Sequence, residues 1–434
     1  MTTTSTQFDP RLHDQPHVVD PAVLVDASGY AAHGYPHHAW AALRRESPVH
    51  WCEPPGFRPF WAVTRHEDVR FLSTHPDRFR SEPRTILFSE QLETMTGAMT
   101  PRTLINMDPP EHHDYRALAA PFLKPSAIRS LESTVRAITV DLLDGRDGAE
   151  PFDFVFDFAA YHPLKVICGV LGAAAADEDL VLRIANTAFG IEDPDYAPQL
   201  AGLAMEMMEY FRRLKEDRLA NPSADLYSAL VNATVAGEPI GDMELVSYFL
   251  ILTAAGHDTT RNAIAGGLLA LLEHPDQLAR LRDDPGSCAT AADEIIRWTS
   301  PVIQFCRTPV DDLQLGGRQI QAGETLAMFY PSANRDEAVF DEPDEFRVDR
   351  NPNPHLGLGV GEHYCLGAHL ARLEIRVLLE ELVPRLEHIE IAGPVERTAA
   401  AFVGGVKHLP VRWALHPSPM SATAARPKEP PDHA

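Results

Sequence analysis

Apolar residues return every three or four positions along most of the chain, and alternating runs are few and short. Leu366, Leu370, Leu373 and Val377 keep that spacing, so the segment to about Leu382 is expected as a helix with one buried stripe. A longer apolar run from about Asp242 to His274 predicts a central buried helix, interrupted at Ala254-Ala-Gly-His-Asp-Thr-Thr260. From Leu118 to about Arg218 the text is helical, rich in Ala and Leu, with breaks at Asp147-Gly148 and Asp193-Pro194-Asp195. A short helix is expected from Tyr35 to Glu46. Strand character is confined to Val49 to Trp51, Phe60 to Thr64, Ser300 to Arg307, Asp312 to Ile320 around a Gly316-Gly317 turn, and Thr325 to Phe329. Four of these, without the segment at Ser300, are expected to share one small sheet. The fold class is therefore mainly α with a small β region on one side.

A chain of 434 residues could hold two or three domains, but no Gly/Ser linker, repeat or low-complexity block divides it between Pro36 and Trp413. One domain is expected over 21–416, with 1–20 and 417–434 disordered. A formal net charge of −24 argues against a phosphate-binding surface, so nucleic acid is not an expected partner. The polar first twenty residues predict neither a signal peptide nor a membrane anchor. The five cysteines, at 52, 168, 288, 306 and 365, have no CxxC spacing and are odd in number, as expected of reduced thiols in the cytoplasm.

Candidate chemistry concentrates at Gly357-Leu-Gly-Val-Gly-Glu-His-Tyr-Cys-Leu-Gly-Ala-His-Leu-Ala-Arg372. Cys365 stands at the start of the predicted helix, where the positive helix end and free N–H groups favour a thiolate. Gly357, Gly359 and Gly361 are expected to admit a bulky planar ligand and the positive φ of a tight bulge. A lone cysteine is more often a small buried hydrophobe, but packing explains neither the three alternate glycines nor the placement of the sulfur. Clustered ligands for structural zinc are absent. A single thiolate suits haem iron, whose porphyrin supplies the other in-plane bonds.

The segment resembles the haem-binding loop of the cytochrome P-450 superfamily, Phe-Gly-x-Gly-x-His-x-Cys-x-Gly. It matches at Gly359, Gly361, His363, Cys365 and Gly367, with Leu358 where the family usually has Phe. The resemblance extends from Pro36 to Trp413. It implies the cytochrome P-450 fold, with haem b between the long central helix and the cysteine-loop helix and Cys365 as the axial thiolate. His112 and Arg116 fall four apart on one face of a helix after Pro109-Pro110. That spacing by itself suits a solvated face or a carboxylate clamp, and the resemblance makes them, with Arg307 and His363, donors to the haem propionates. His113 has no such counterpart.

Within the central helix, the resemblance assigns Asp258 and Thr259 as the acid–alcohol pair that delivers protons to reduced dioxygen. It places Ala255 and Gly256 beside the cofactor, with Gly256 opening a groove for dioxygen. Glu294 and Arg297, three apart, match a buried pair that braces the haem-binding region and is not catalytic. Ile251, Ala255, Thr259, Val302, Ile303, Phe305, Phe402 and Val403 are the expected substrate contacts, Phe402 and Val403 alternatively forming a plain hairpin tip. The irregular stretch Ile86 to Leu104, with Met95 and Met99, reads either as a mobile lid over the pocket or as a surface loop.

The activity implied is insertion of one oxygen atom from dioxygen into a C–H bond of a small hydrophobic substrate. No Gly-x-Gly-x-x-Gly loop and no iron–sulfur cysteine cluster appear, so a ferredoxin and an NAD(P)H-dependent ferredoxin reductase are implied as partners. Tyr161 to Ile167, Ala188 to Asp195 and Phe402 to His408 resemble the bacterial terpineol-hydroxylating subgroup, which implies a monoterpene or alkyl-aromatic substrate. Sterols or branched lipids are the alternative. Two other classes are a peroxide-driven haem-thiolate enzyme, against which Asp258-Thr259 counts, and a non-enzymatic haem sensor.

Overall fold

The computed structural model describes residues 18–96, 102–146 and 150–417. Helices dominate, and the expected mainly α architecture with a β region is what the chain adopts. The longest helix, Asp242–Glu273, spans about 48 Å at 1.5 Å per residue. Its buried residues fall on all sides, as its continuous apolar text requires. Helices Tyr161–Leu171, Glu178–Phe189, Cys288–Thr299 and Ala368–Leu382 all pack on it.

Two large apolar clusters divide this helix between them. Leu245, Tyr248, Phe249 and Leu252 belong to one, with Leu164, Ile167, Tyr227, Leu370 and Val377. Ala263, Ile264, Leu268 and Leu271 belong to the other, with Ile295, Phe346 and Trp413. The polar interruption at 254–260 lies at the seam between the two, where it breaks neither.

The main sheet has five strands in the order Val49–Cys52, Phe60–Val63, Leu326–Phe329, Gln304–Pro309 and Phe79–Arg80. Every residue of the first three is buried. Period two explains it: Phe60, Ala62, Ala327 and Phe329 enter a cluster with Trp40, while Trp61, Val63, Leu326 and Met328 enter a second with Trp51. The expected sheet needs one correction. Leu313–Leu315 and Arg318–Ile320 pair around the Gly316-Gly317 turn as a separate hairpin, and their place in the sheet is taken by Gln304–Pro309. Both turn glycines have positive φ.

Three residues of the first end segment, Val18 to Asp20, are among those described. Val18 and Val19 pack against the Trp40 cluster, and Asp20 caps the turn Pro21–Leu24 through a 2.9 Å hydrogen bond from the Ala22 N–H. The remainder of the two end segments, Met99, and the break at Asp147-Gly148 lie outside the described residues.

Candidate active site

A cavity of about 240 Å³ lies between Asp242–Glu273 and the cysteine loop. Cys365 lines it and is half-buried, whereas Cys52, Cys168, Cys288 and Cys306 are fully buried. The helix Ala368–Leu382 starts three residues beyond the sulfur. Burial pushes the Cys365 thiol up from its ordinary value, and the Gly367 N–H, Arg116 and Arg372 pull it back. A bound metal cation is what would hold it as thiolate.

The glycines of the loop serve the protein's own backbone more than expected. A Cβ at Gly361 would lie 2.3 Å from Ser73 O, and one at Gly357 would lie 2.9 Å from Ile296 O. Gly359 and Gly361 have φ of +67° and +76°, the positive values expected, whereas no positive φ occurs at Gly357. Only Gly367 is open space: a Cβ there would meet nothing within 4 Å, and it lines the cavity. Leu358 also lines the cavity, and its carbonyl accepts the Cys365 N–H at 2.8 Å.

His112, Arg116, Arg307 and His363 all reach the cavity. Arg307 is buried, its Nη1 donating to Cys306 O at 2.8 Å, and burial lowers its pKa. Arg116 Nη2 donates to Tyr364 O at 2.6 Å, and His363 Nε2 lies 3.1 Å from Ser81 Oγ. Among the described residues none of these three has a carboxylate partner. Burial first, then Arg307, His112 and Arg116, pushes His363 down to about 2, so it is a neutral donor. His112 Nδ1 and His113 Nε2 share Glu362, each 2.7 Å from Oε1, and His112 lines the cavity. His113, which has no counterpart among the expected propionate donors, therefore helps hold Glu362.

Gly256 lines the cavity, and a Cβ there would lie 2.8 Å from Ile167 Cδ1, so this glycine also makes room for Ile167. The central helix departs from expectation at one point: Asp258 and Thr259 are split. Thr259 lines the cavity, its Oγ1 donating to Ala255 O at 2.9 Å. Asp258 does not line it: its Oδ1 lies 3.3 Å from both His257 Nδ1 and Arg261 Nη2. Arg261 in turn donates to Asn186 Oδ1 at 2.7 Å, which ties the acid to the helix Glu178–Phe189.

Ile251, Ala255, Thr259, Val302, Phe305, Phe402 and Val403 line the cavity as expected. Ile303 does not. Neighbouring residues of an extended chain face opposite ways, so with Val302 in the cavity Ile303 enters the Trp40 cluster. Leu104 and, unanticipated, Phe189 and Ile105 join the lining. Met95 is exposed on the short helix Glu90–Thr96, away from the cavity.

Glu294 and Arg297 form the expected buried pair, with Nε–Oε2 at 2.7 Å and Nη2–Oε1 at 2.8 Å. Arg297 also donates to the carbonyls of Asn334, Pro343 and Glu345. Arg350, missed in the sequence, adds a second guanidinium on Glu294 at 3.1 Å.

A half-buried cysteine, glycines that close the loop on itself, open space beside Gly367 and cationic donors without carboxylates together fit a flat dianionic metal chelate: haem bound through a thiolate. The comparisons agree. The cytochrome P450 family model matches residues 196–285 and 290–399. The chain is 36% identical over 429 residues to cytochrome P450-terp of a Pseudomonas species, covering 94% of this chain and 99% of the relative. It is 38% identical over 391 residues to a methyl-branched lipid omega-hydroxylase of Mycobacterium bovis, covering 86% and 90%. A crystal structure of a cytochrome P450 from Novosphingobium aromaticivorans superimposes with a TM-score of 0.84 at 36% identity, covering 92% of this chain and all of that one.

The chain belongs to the cytochrome P450 family, and it is a monooxygenase that uses haem with an axial cysteine thiolate. Among the described residues no helix is long and apolar enough to cross a membrane.

Proposed function

We propose that this monooxygenase hydroxylates a monoterpene or an alkyl-substituted aromatic at an allylic, benzylic or methyl carbon. The observation that carries this reading is the cavity wall of Phe189, Ile251, Val302, Phe305, Phe402 and Val403, an apolar surface suited to a small hydrocarbon skeleton. The likeness to cytochrome P450-terp supports it. Bound haem supplies activation of dioxygen, with the Cys365 thiolate favouring O–O cleavage. Arg116, Arg307, His363 and His112 would hold its carboxylates. Thr259 Oγ1 would give up its hydroxyl proton at the cavity wall, and Asp258, after leaving Arg261 and taking a proton from solvent, would return one to it. Electrons come from a ferredoxin and its NAD(P)H-dependent reductase.

Adding monoterpene alcohols, alkylbenzenes, branched fatty acids and sterols to the ferric protein separates the substrate classes. The first two are expected to give the largest spin-state change in the Soret band. A larger response to branched fatty acids would favour the second reading, which the methyl-branched lipid omega-hydroxylase supports. Thr259→Ala is expected to keep the ligand response and NAD(P)H consumption while product falls about a hundredfold or more. Unchanged product per NAD(P)H would refute the role of Thr259.

A further inference from the structure

Two stretches that the sequence singled out, at 188–195 and 402–408, meet each other in the fold. Glu192 Oε2 accepts the Ala401 N–H at 2.9 Å and the Phe402 N–H at 3.2 Å. Asp193 Oδ2 accepts the Ala399 N–H at 3.2 Å, and its Oδ1 lies 2.7 Å from Lys407 Nζ. Lys407 also reaches Asp195 at 2.5 Å and lies over the Tyr196 ring. Two consecutive acidic residues thus tether both ends of the loop that carries Phe402.

Phe402 is the meeting point of the aromatic cavity wall. Its ring centroid lies 5.5 Å from Phe189, 5.4 Å from Phe305 and 6.1 Å from Phe88, all near edge-to-face. On its other side the loop is pinned to the strand region by the Ile303 N–H on Phe402 O at 2.8 Å and by the Val302–Val403 bridge. Phe189 stands at the end of the helix that leads directly into Glu192. One carboxylate therefore locks the backbone of Phe402 to the segment bearing its ring partner.

We propose that Glu192, supported by the Asp193–Lys407 pair, is a positioning residue that holds Phe402 against Phe189 and so sets the size of ligand the cavity accepts. The proposal rests on the reading of this cavity as the substrate chamber. The Ala401 and Phe402 N–H groups lie in a loop with no strand partner on that side, and Glu192 Oε2 is the acceptor that both reach. Without the carboxylate they lose their acceptors, and the ring loses its fixed place.

The test uses the ferric haem-loaded protein and alkylbenzenes of increasing chain length, with dissociation constants read from the Soret shift. Phe402→Ala is expected to change the ratio of long-chain to short-chain affinity by about tenfold. Glu192→Ala is expected to produce the same change, and the double variant no more than either alone. Glu192→Gln, whose side-chain oxygen still accepts both N–H groups, restores the wild-type ratio. Additive effects in the double variant, or a Glu192→Ala ratio equal to wild type, would overturn the proposal. If Phe402→Ala itself leaves the ratio unchanged, the chamber reading is what fails. Should Glu192→Ala not accumulate with a normal reduced carbon monoxide spectrum, Lys407→Met carries the test: a shift in the same direction supports the tether, and an unchanged ratio overturns it.

Discussion

Arg297 and Arg307 are both buried guanidiniums, and their surroundings differ in one decisive way. Arg297 faces a fully buried carboxylate and three backbone carbonyls, and Arg350 closes the same network from the other side of Glu294. Arg307 donates to the carbonyl of its own neighbour and looks into a cavity, where burial lowers its pKa. Burying a charge is costly unless it is paired, so the first group is complete in the protein chain and the second is complete only with an anion bound. One braces the segment around the cysteine loop. The other is the donor proposed to hold a cofactor carboxylate.

Substituting Glu294 should break this contrast most severely. Glu294→Gln leaves two buried guanidiniums without an opposing charge, which costs about 3–5 kcal/mol, read from the urea midpoint of the haem-loaded protein. Arg307→Ala should do the reverse. The stability of the haem-free chain is expected to stay level or rise, while haem is lost about ten to a hundred times faster, matching one charge-assisted hydrogen bond. A haem-free chain destabilised as much by Arg307→Ala as by Glu294→Gln would erase the distinction.

Glu192 sharpens the comparison from the acidic side, with a smaller effect. Burial raises its carboxyl to about 7 against the opposing Ala401 and Phe402 N–H groups. Between about pH 4.5 and 7 the folded chain therefore holds a proton that the unfolded chain has released, so stability falls as pH rises through that window, by at most about 3 kcal/mol. Asp193, Lys407 and Tyr30 keep fixed charge there, the first lowered and the other two raised from their ordinary values. Glu192→Gln should flatten this part of the stability–pH curve. The exposed Arg412–Glu390 pair is the lower bound: Arg412→Ala should leave the urea midpoint unmoved.

Local pattern carried the helices well, because helical spacing is a property of neighbours in the chain. The helix Ala368–Leu382 and the span Asp242–Glu273 lie where their apolar positions put them. The loop pattern pointed to Cys365, and the family resemblance to Thr259, His112, Arg116, Arg307 and His363, all of which reach one cavity. Ile303 was misplaced although the information was present, since Val302 and Ile303 cannot share one face of an extended chain. The hairpin at 313–320 was misassigned for a different reason: which strands pair is settled by distant partners, not by the turn that joins two of them.

The chain's own order of residues determined the helical class and the cysteine, because each depends on side-chain type and short-range period, and the motifs it shares with the family pointed to the donors and the threonine. Only the tertiary structure decided that Gly256 yields to Ile167, that Asp258 turns toward Arg261, and that Glu192 grips the loop of Phe402. Those outcomes depend on which surfaces lie within a few ångströms after folding: Glu192 meets Phe402 across 210 residues, and Asn186, 75 residues from Arg261, fixes the side chain toward which Asp258 turns.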